Sequence, residues 1–315
     1  MNRRTSSRSS ASASAARPSR LTHPAAAVAL SFVFMAVAIL CAELLSSFLG
    51  PALSWLRDRG EQSAVHSALA KTITLYSLFV PLLLLLWAWL ARFERRLFRT
   101  LGFSRRRLPS YGTGWLVGLL MIGGAVGLAT ALQVGRFVAV AGPAEGWSAL
   151  AGVLLVYVGW AVQASAEEAL YRGWLLSAIG GRASFKIGAL VSSLCFAGAH
   201  AVNNGFSLLV FINLFLFGLF LALYRQADGT LWGVCAWHTV WNWALGNVFG
   251  ADVSGSAPEG GRLLHFVLAG PSEWLTGGPF GLEGSLATTA VFLIGIACAA
   301  WRLSRSRNEN PRSVR

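Results

Sequence analysis

The sequence predicts an all-α protein, a polytopic membrane helix bundle of about eight transmembrane helices. Three observations predict it. Mean hydropathy is +0.57, with 55% hydrophobic and 12% charged residues, a balance far from that of a soluble domain. Apolar runs of roughly 20 residues recur along the chain, the length a helix needs to cross a hydrocarbon core of about 30 Å. The net charge of +13 is gathered in short clusters between those runs, not laid as a stripe over a polar face. That last pattern argues against a nucleic-acid partner and for the lipid bilayer.

Taken in order, residues 1–24 are rich in Ser, Ala and Arg and contain no acid. With Arg3, Arg4, Arg8, Arg17 and Arg20 they read as a disordered basic cytoplasmic tail, not a cleaved targeting peptide. Runs at about 25–49, 69–91 and 111–134 give three N-terminal spans within 25–134. Four more, at 148–166, 186–202, 206–224 and 230–249, fall within a core segment of 148–250, with a tight turn at Asn203, Asn204 and Gly205. Residues 251–284, rich in Gly, Pro and Ser, form a large exterior loop that either caps the helices or, as the preferred reading, is simply solvated. An eighth span covers 285–303, and 304–315 is a second basic tail. No internal repeat is visible, which detracts from an inverted-repeat transporter.

Charge placement tests the count. With eight spans, 21 of the 26 basic residues fall on one side: both tails, the arginine-rich 92–107 loop, the 167–186 link and Arg225. Only Arg57, Arg59, Lys71, Arg136 and Arg262 fall on the other. An odd number of spans destroys this asymmetry. The positive-inside rule then puts both termini in the cytoplasm of an integral protein of a bacterial inner membrane. Cys41, Cys195, Cys235 and Cys298 show no CxxC pair and read as small buried hydrophobes.

The stretch SAEEALYRGW, 165–174, sets three formal charges in an oily chain. Glu168 and Arg172 are four residues apart, share a helix face and can pair. Glu167 points about 100° away and lacks that partner. A membrane-edge ion pair with a solvated neighbour explains the first two but not the third. A carboxylate in apolar surroundings suits general acid–base work near neutral pH. Two further apolar segments carry histidine: His200 in SLCFAGAHAVNN and His238 in CAWHTVWNW. His238 and Asn242 share one face of the seventh span and together offer two hydrogen-bond donors. A pair of that kind can hold a developing oxyanion, where losing one donor costs about 10²–10³ in rate.

Polar groups on apolar helices are expected to face the bundle interior and converge. A glutamate and a histidine can activate a water, and the second histidine and the asparagine can hold the oxyanion of a hydrolysed amide. Serine chemistry lacks a GxSxG, and the HExxH of a zinc protease is absent. A Glu-His-His zinc site remains geometrically conceivable, but no cofactor or metal is required. Two rivals stand beside hydrolysis. A proton-coupled transporter predicts polar residues over the full membrane depth, and a catalytically silent immunity or scaffold protein predicts tolerance of Glu167→Ala.

Glu167-Glu168-x3-Arg172, Phe196-x3-His200 and His238-x3-Asn242, in this order on separate spans, resemble the CAAX-protease and bacteriocin-processing (CPBP, or Abi) family of intramembrane proteases, related to type II CAAX prenyl endopeptidase. The similarity covers about 148–250. The resemblance implies that Glu167 with His200 activates the attacking water, that His238 and Asn242 form the oxyanion pair, and that Glu168 and Arg172 orient the site. It implies a glutamate-type, metal-independent mechanism, often described as metalloprotease. The implied partner is a peptide or protein substrate in the membrane; its identity, any prenyl group and the oligomeric state stay open. One point of geometry is awkward: Glu167 near the cytoplasmic end of span four is too shallow for His200 and His238, unless span four tilts or continues past Arg172. A cavity open to the cytoplasm and the inner leaflet is expected.

Overall fold

The computed structural model describes residues 21–60, 63–103, 107–139 and 146–309. Most of the expected N-terminal tail, 1–20, and the last residues of the C-terminal one, 310–315, lie outside the described residues. Pro24 opens the first helix, where its missing N–H costs nothing. Helix α1 spans Pro24–Gly60, α2 Ala64–Trp89 with one π turn to Glu94, and α3 Arg107–Ala131. Strand β1 (Gly135–Val138) leads to α4 (Trp147–Glu168), which passes through a π segment, Ala169–Leu175, into α5 (Leu176–Gly180). Then come α6 (Phe185–Ala199), α7 (Leu208–Asp228) and α8 (Trp232–Trp243), the last prolonged by a π turn to Val248. Strand β2 (His265–Leu268), the short α9 (Glu273–Thr276) and α10 (Leu286–Glu309) complete the chain.

Six of these helical stretches are long and apolar enough to cross a membrane: 24–60, 64–94, 108–131, 147–180, 208–228 and 286–305. The chain is an integral membrane helix bundle. The fifth and seventh expected spans are present as the shorter helices α6 and α8. Residues of α8 from Gly233 to Asn242 are all buried, so it is a core element wrapped by its neighbours and need not span lipid by itself.

Local chemistry explains the ends. Ser184 and Ser207 cap α6 and α7, each side chain accepting from the backbone N–H three residues on. Gly229, at φ 75°, ends α7 in the left-handed conformation that glycine adopts without strain. Helices α3 and α8 touch backbone to backbone. A Cβ at Gly114 would lie 2.0 Å from the Gly233 carbonyl oxygen, so only a glycine permits this crossing.

One end of the bundle collects the basic segments. Thr22 donates its N–H and hydroxyl to Glu94, the Arg182 guanidinium donates to the Leu21 carbonyl, and Arg225 donates to the Leu101 carbonyl. The opposite end carries the 200–207 and 249–285 segments. The latter is not the solvated loop expected. Phe266, Phe280, Leu282 and Glu283 are buried, and β2 pairs antiparallel with β1. Helix side chains hold it: Asn213 donates to the Glu283 and Ser285 carbonyls, and Asn247 donates to those of Glu259 and Gly261. The cysteine expectation also needs correction. Cys195 and Cys235 are buried, but Cys41 is half-buried and Cys298 exposed, because outer helix faces in a bundle of this kind meet lipid.

Candidate active site

The fourth span does not end at its charges. It runs from Trp147 to Gly180, so Glu167 and Glu168 sit inside a long helix. This removes the depth conflict: Glu168 reaches His238 of α8 directly. Continuation is possible because the charges are neutralised within the protein. Glu168 Oε1 accepts from Arg172 Nη1 at 3.0 Å and from His238 Nδ1 at 2.9 Å. Glu168 and Arg172 have fully buried side chains, where an unpaired charge is very costly. The intervening π segment is the kind of helical irregularity that gathers at functional sites.

Phe196 serves this centre twice. Its ring carries the Arg172 guanidinium 4.2 Å from its centroid, a cation–π contact that suits a planar cation. Its carbonyl lies 2.8 Å from His200 Nδ1. A carbonyl only accepts, so Nδ1 is the donor in this contact. His200 stands at the end of α6, which leaves that ring free of the helix.

Glu167 Oε2 lies 3.7 Å from His238 Nε2, too long for a hydrogen bond. His238 is therefore suspended between the two glutamates, with Nδ1–H fixed on Glu168. Glu167, His200 and Asn242 line one cavity of about 450 Å³, together with Gln163 and Trp160 of α4. Asn242 Nδ2 donates to Gln163 Oε1 at 2.9 Å, leaving its second N–H. His238 is not among the lining residues, so the pair expected to work together is split: Asn242 faces the cavity and His238 sits behind Glu167.

Gln163 was missed in the sequence. It is four residues before Glu167 and shares its helix face, so the spacing was the available signal. Asn247, which accepts from the Trp160 indole at 2.8 Å, carried no such signal. The rim consists of Ala199, Val202, Asn203, Asn204, Val253, Ser254 and Ser256, and the wall includes Met35 and Ile39 of α1 and Leu75, Leu78 and Phe79 of α2. No residue of the basic end lines it. The expected opening toward that end is thus corrected: the 199–204 and 253–256 segments that line the cavity belong to the opposite end.

Zinc fits poorly. Glu168 Oε1 is committed to Arg172 and His238, and among the described residues no three His, Cys, Asp or Glu side chains are grouped to hold a metal ion.

The comparisons agree with the motifs. No curated protein matches the chain. Residues 146–244 match the family described as type II CAAX prenyl endopeptidase Rce1-like. The matched segment runs from the start of α4 to the end of α8 and contains Glu167, Glu168, Arg172, His200, His238 and Asn242. Over this segment, about a third of its length, the chain is similar to that family.

Proposed function

We propose that the protein is an intramembrane endopeptidase that hydrolyses a peptide bond of a membrane-associated or C-terminally anchored peptide or protein with an activated water. Similarity of residues 146–244 to a family of endopeptidases supports the reaction class. The observation that carries the mechanism is the shared cavity: Glu167, His200 and Asn242 line one volume.

A water held between Glu167 and His200 gives up a proton to one of them as its oxygen bonds the scissile carbonyl carbon. The carbonyl oxygen becomes an oxyanion, which the remaining Asn242 N–H and the Gln163 amide can hold. The C–N bond then breaks and the stored proton passes to the leaving nitrogen. Glu168, paired with Arg172, positions His238, which stands 3.7 Å behind Glu167; none of these steps passes through a metal.

The test is cleavage of a peptide library by the detergent-purified protein, with and without a chelator. Glu167→Ala and His200→Ala are each expected to lose about 10²–10⁴ in rate while keeping their thermal transition. Cleavage that survives in Glu167→Ala sinks the mechanism. Activity lost to chelator and restored by zinc overturns its metal-free form.

A further inference from the structure

Lys71 is a cation that the reaction does not use. It is one of two lysines in a chain with 26 basic residues, and it lies on α2 just before the apolar stretch TITLYSLFV. A cation in an apolar helix is costly unless something answers its charge. Its side chain is 12% exposed, and its ammonium lies 3.5 Å from Glu259 Oε1, whose side chain is 40% exposed. A contact of that length to a solvated partner is weak. The ammonium also sits 5.5 Å from the Trp160 ring centroid. An ammonium has three donors, so capacity is left over.

Lys71 lines the same cavity as Glu167, and among its lining residues these are the formal cation and the formal anion. Trp160 precedes Glu167 by two helical turns, about 10 Å of rise. The cavity is therefore bipolar, negative at its floor and positive toward its rim. Asn203, Asn204, Ser254 and Ser256 stand on the rim with neutral hydrogen-bonding groups. A carboxylate entering this space is repelled by Glu167 and drawn to Lys71.

We infer that Lys71 is a specificity-determining residue that binds a substrate carboxylate, about three extended residues from the bond that is cut. The inference rests on Glu167 marking the hydrolytic centre. The carboxylate is either a free C-terminus or an acidic side chain, and the chemistry at Lys71 is the same.

The experiment compares peptides matched except for one group: a free C-terminal acid against its amide, and an internal Asp against Asn. Wild type is expected to favour one acid over its neutral partner by about tenfold or more in kcat/KM, mainly through KM. The pair that shows the preference identifies the source of the carboxylate. Lys71→Ala levels that preference, Lys71→Arg restores it in part, and Lys71→Glu favours a peptide with Lys at the same place. A Lys71→Ala protein that slows acid and neutral peptides equally has lost only its tie to the 259 segment, and the inference fails. It fails also if neither pair is distinguished by wild type. Binding of fluorescent acid and amide peptides to Glu167→Gln needs no turnover. A Lys71-dependent acid preference in binding, with no cleavage by wild type, overturns the hydrolytic reading and leaves the carboxylate site standing.

Discussion

Adjacent residues in this protein do unlike work. Glu167 faces a cavity, whereas Glu168 is enclosed in the bundle, where its Oε1 accepts from Arg172 and His238. Their replacements should fail differently. Glu167→Gln keeps shape and removes a charge near open volume, so its thermal stability in detergent should stay within about 0.5 kcal/mol of wild type while activity disappears. Arg172→Ala strands the Glu168 carboxylate in the core and should cost about 3–5 kcal/mol, read as a lowered unfolding midpoint or loss of folded protein. Arg172→Lys should rescue little, since the flat guanidinium lies over the Phe196 ring. At this scale the sequence was informative where a charge stood in an oily context. Gln163 and Lys71 escaped attention because a neutral amide and a lysine near an exterior loop raise no alarm until the cavity joins them.

Among the elements, α4 departs most from expectation. Its charges look like the wet end of a span when read along the chain, but the Glu168–Arg172 pair and a hydrogen bond across to α8 let the helix run on to Gly180. No single segment records that, because His238 is 70 residues away. The crossing of α3 and α8 is equally local to two glycines. Gly114→Val should fail to pack and cost roughly 1–3 kcal/mol or more, measurable as a lower midpoint, whereas Gly112→Ala meets no atom within 4 Å and should be tolerated. The 249–285 segment is held through Glu283, which accepts from the Trp241 indole at 2.9 Å and from the Ser254 N–H. Burial pushes its carboxyl above the ordinary value of 4.5, and those two donors work against the shift. With the folded-state value raised, its contribution is complete below pH 4.5 and declines as pH rises through the folded value. Limited proteolysis of this segment should therefore quicken as pH rises above 4.5, and Glu283→Gln should flatten that dependence.

For the whole molecule, hydropathy and charge clustering made the bundle legible, and each expected apolar run coincides with a helix. The packing of the 249–285 cap was not legible, since its attachments are long-range: β2 pairs with β1, and side chains of α7 and α8 reach its backbone carbonyls and Glu283. The direction of the cavity was not legible either. The positive-inside rule predicts the arginine-rich end in the cytoplasm, and on that prediction the mouth at Asn203 and Asn204 faces the exterior leaflet. We expect a membrane-impermeant maleimide to label Asn204→Cys on intact cells and Arg99→Cys only after permeabilisation, both positions being exposed. The reverse pattern turns the molecule over and returns the mouth to the cytoplasm.

The two glutamates side by side on one helix have a practical consequence. In the proposed reaction the carboxylate that reacts and the one that secures the fold are separate residues, so chemistry should be silenced without loosening the scaffold. Glu167→Gln is then expected to act as a substrate trap, retaining a cleavable membrane peptide long enough for crosslinking and mass spectrometry to name it.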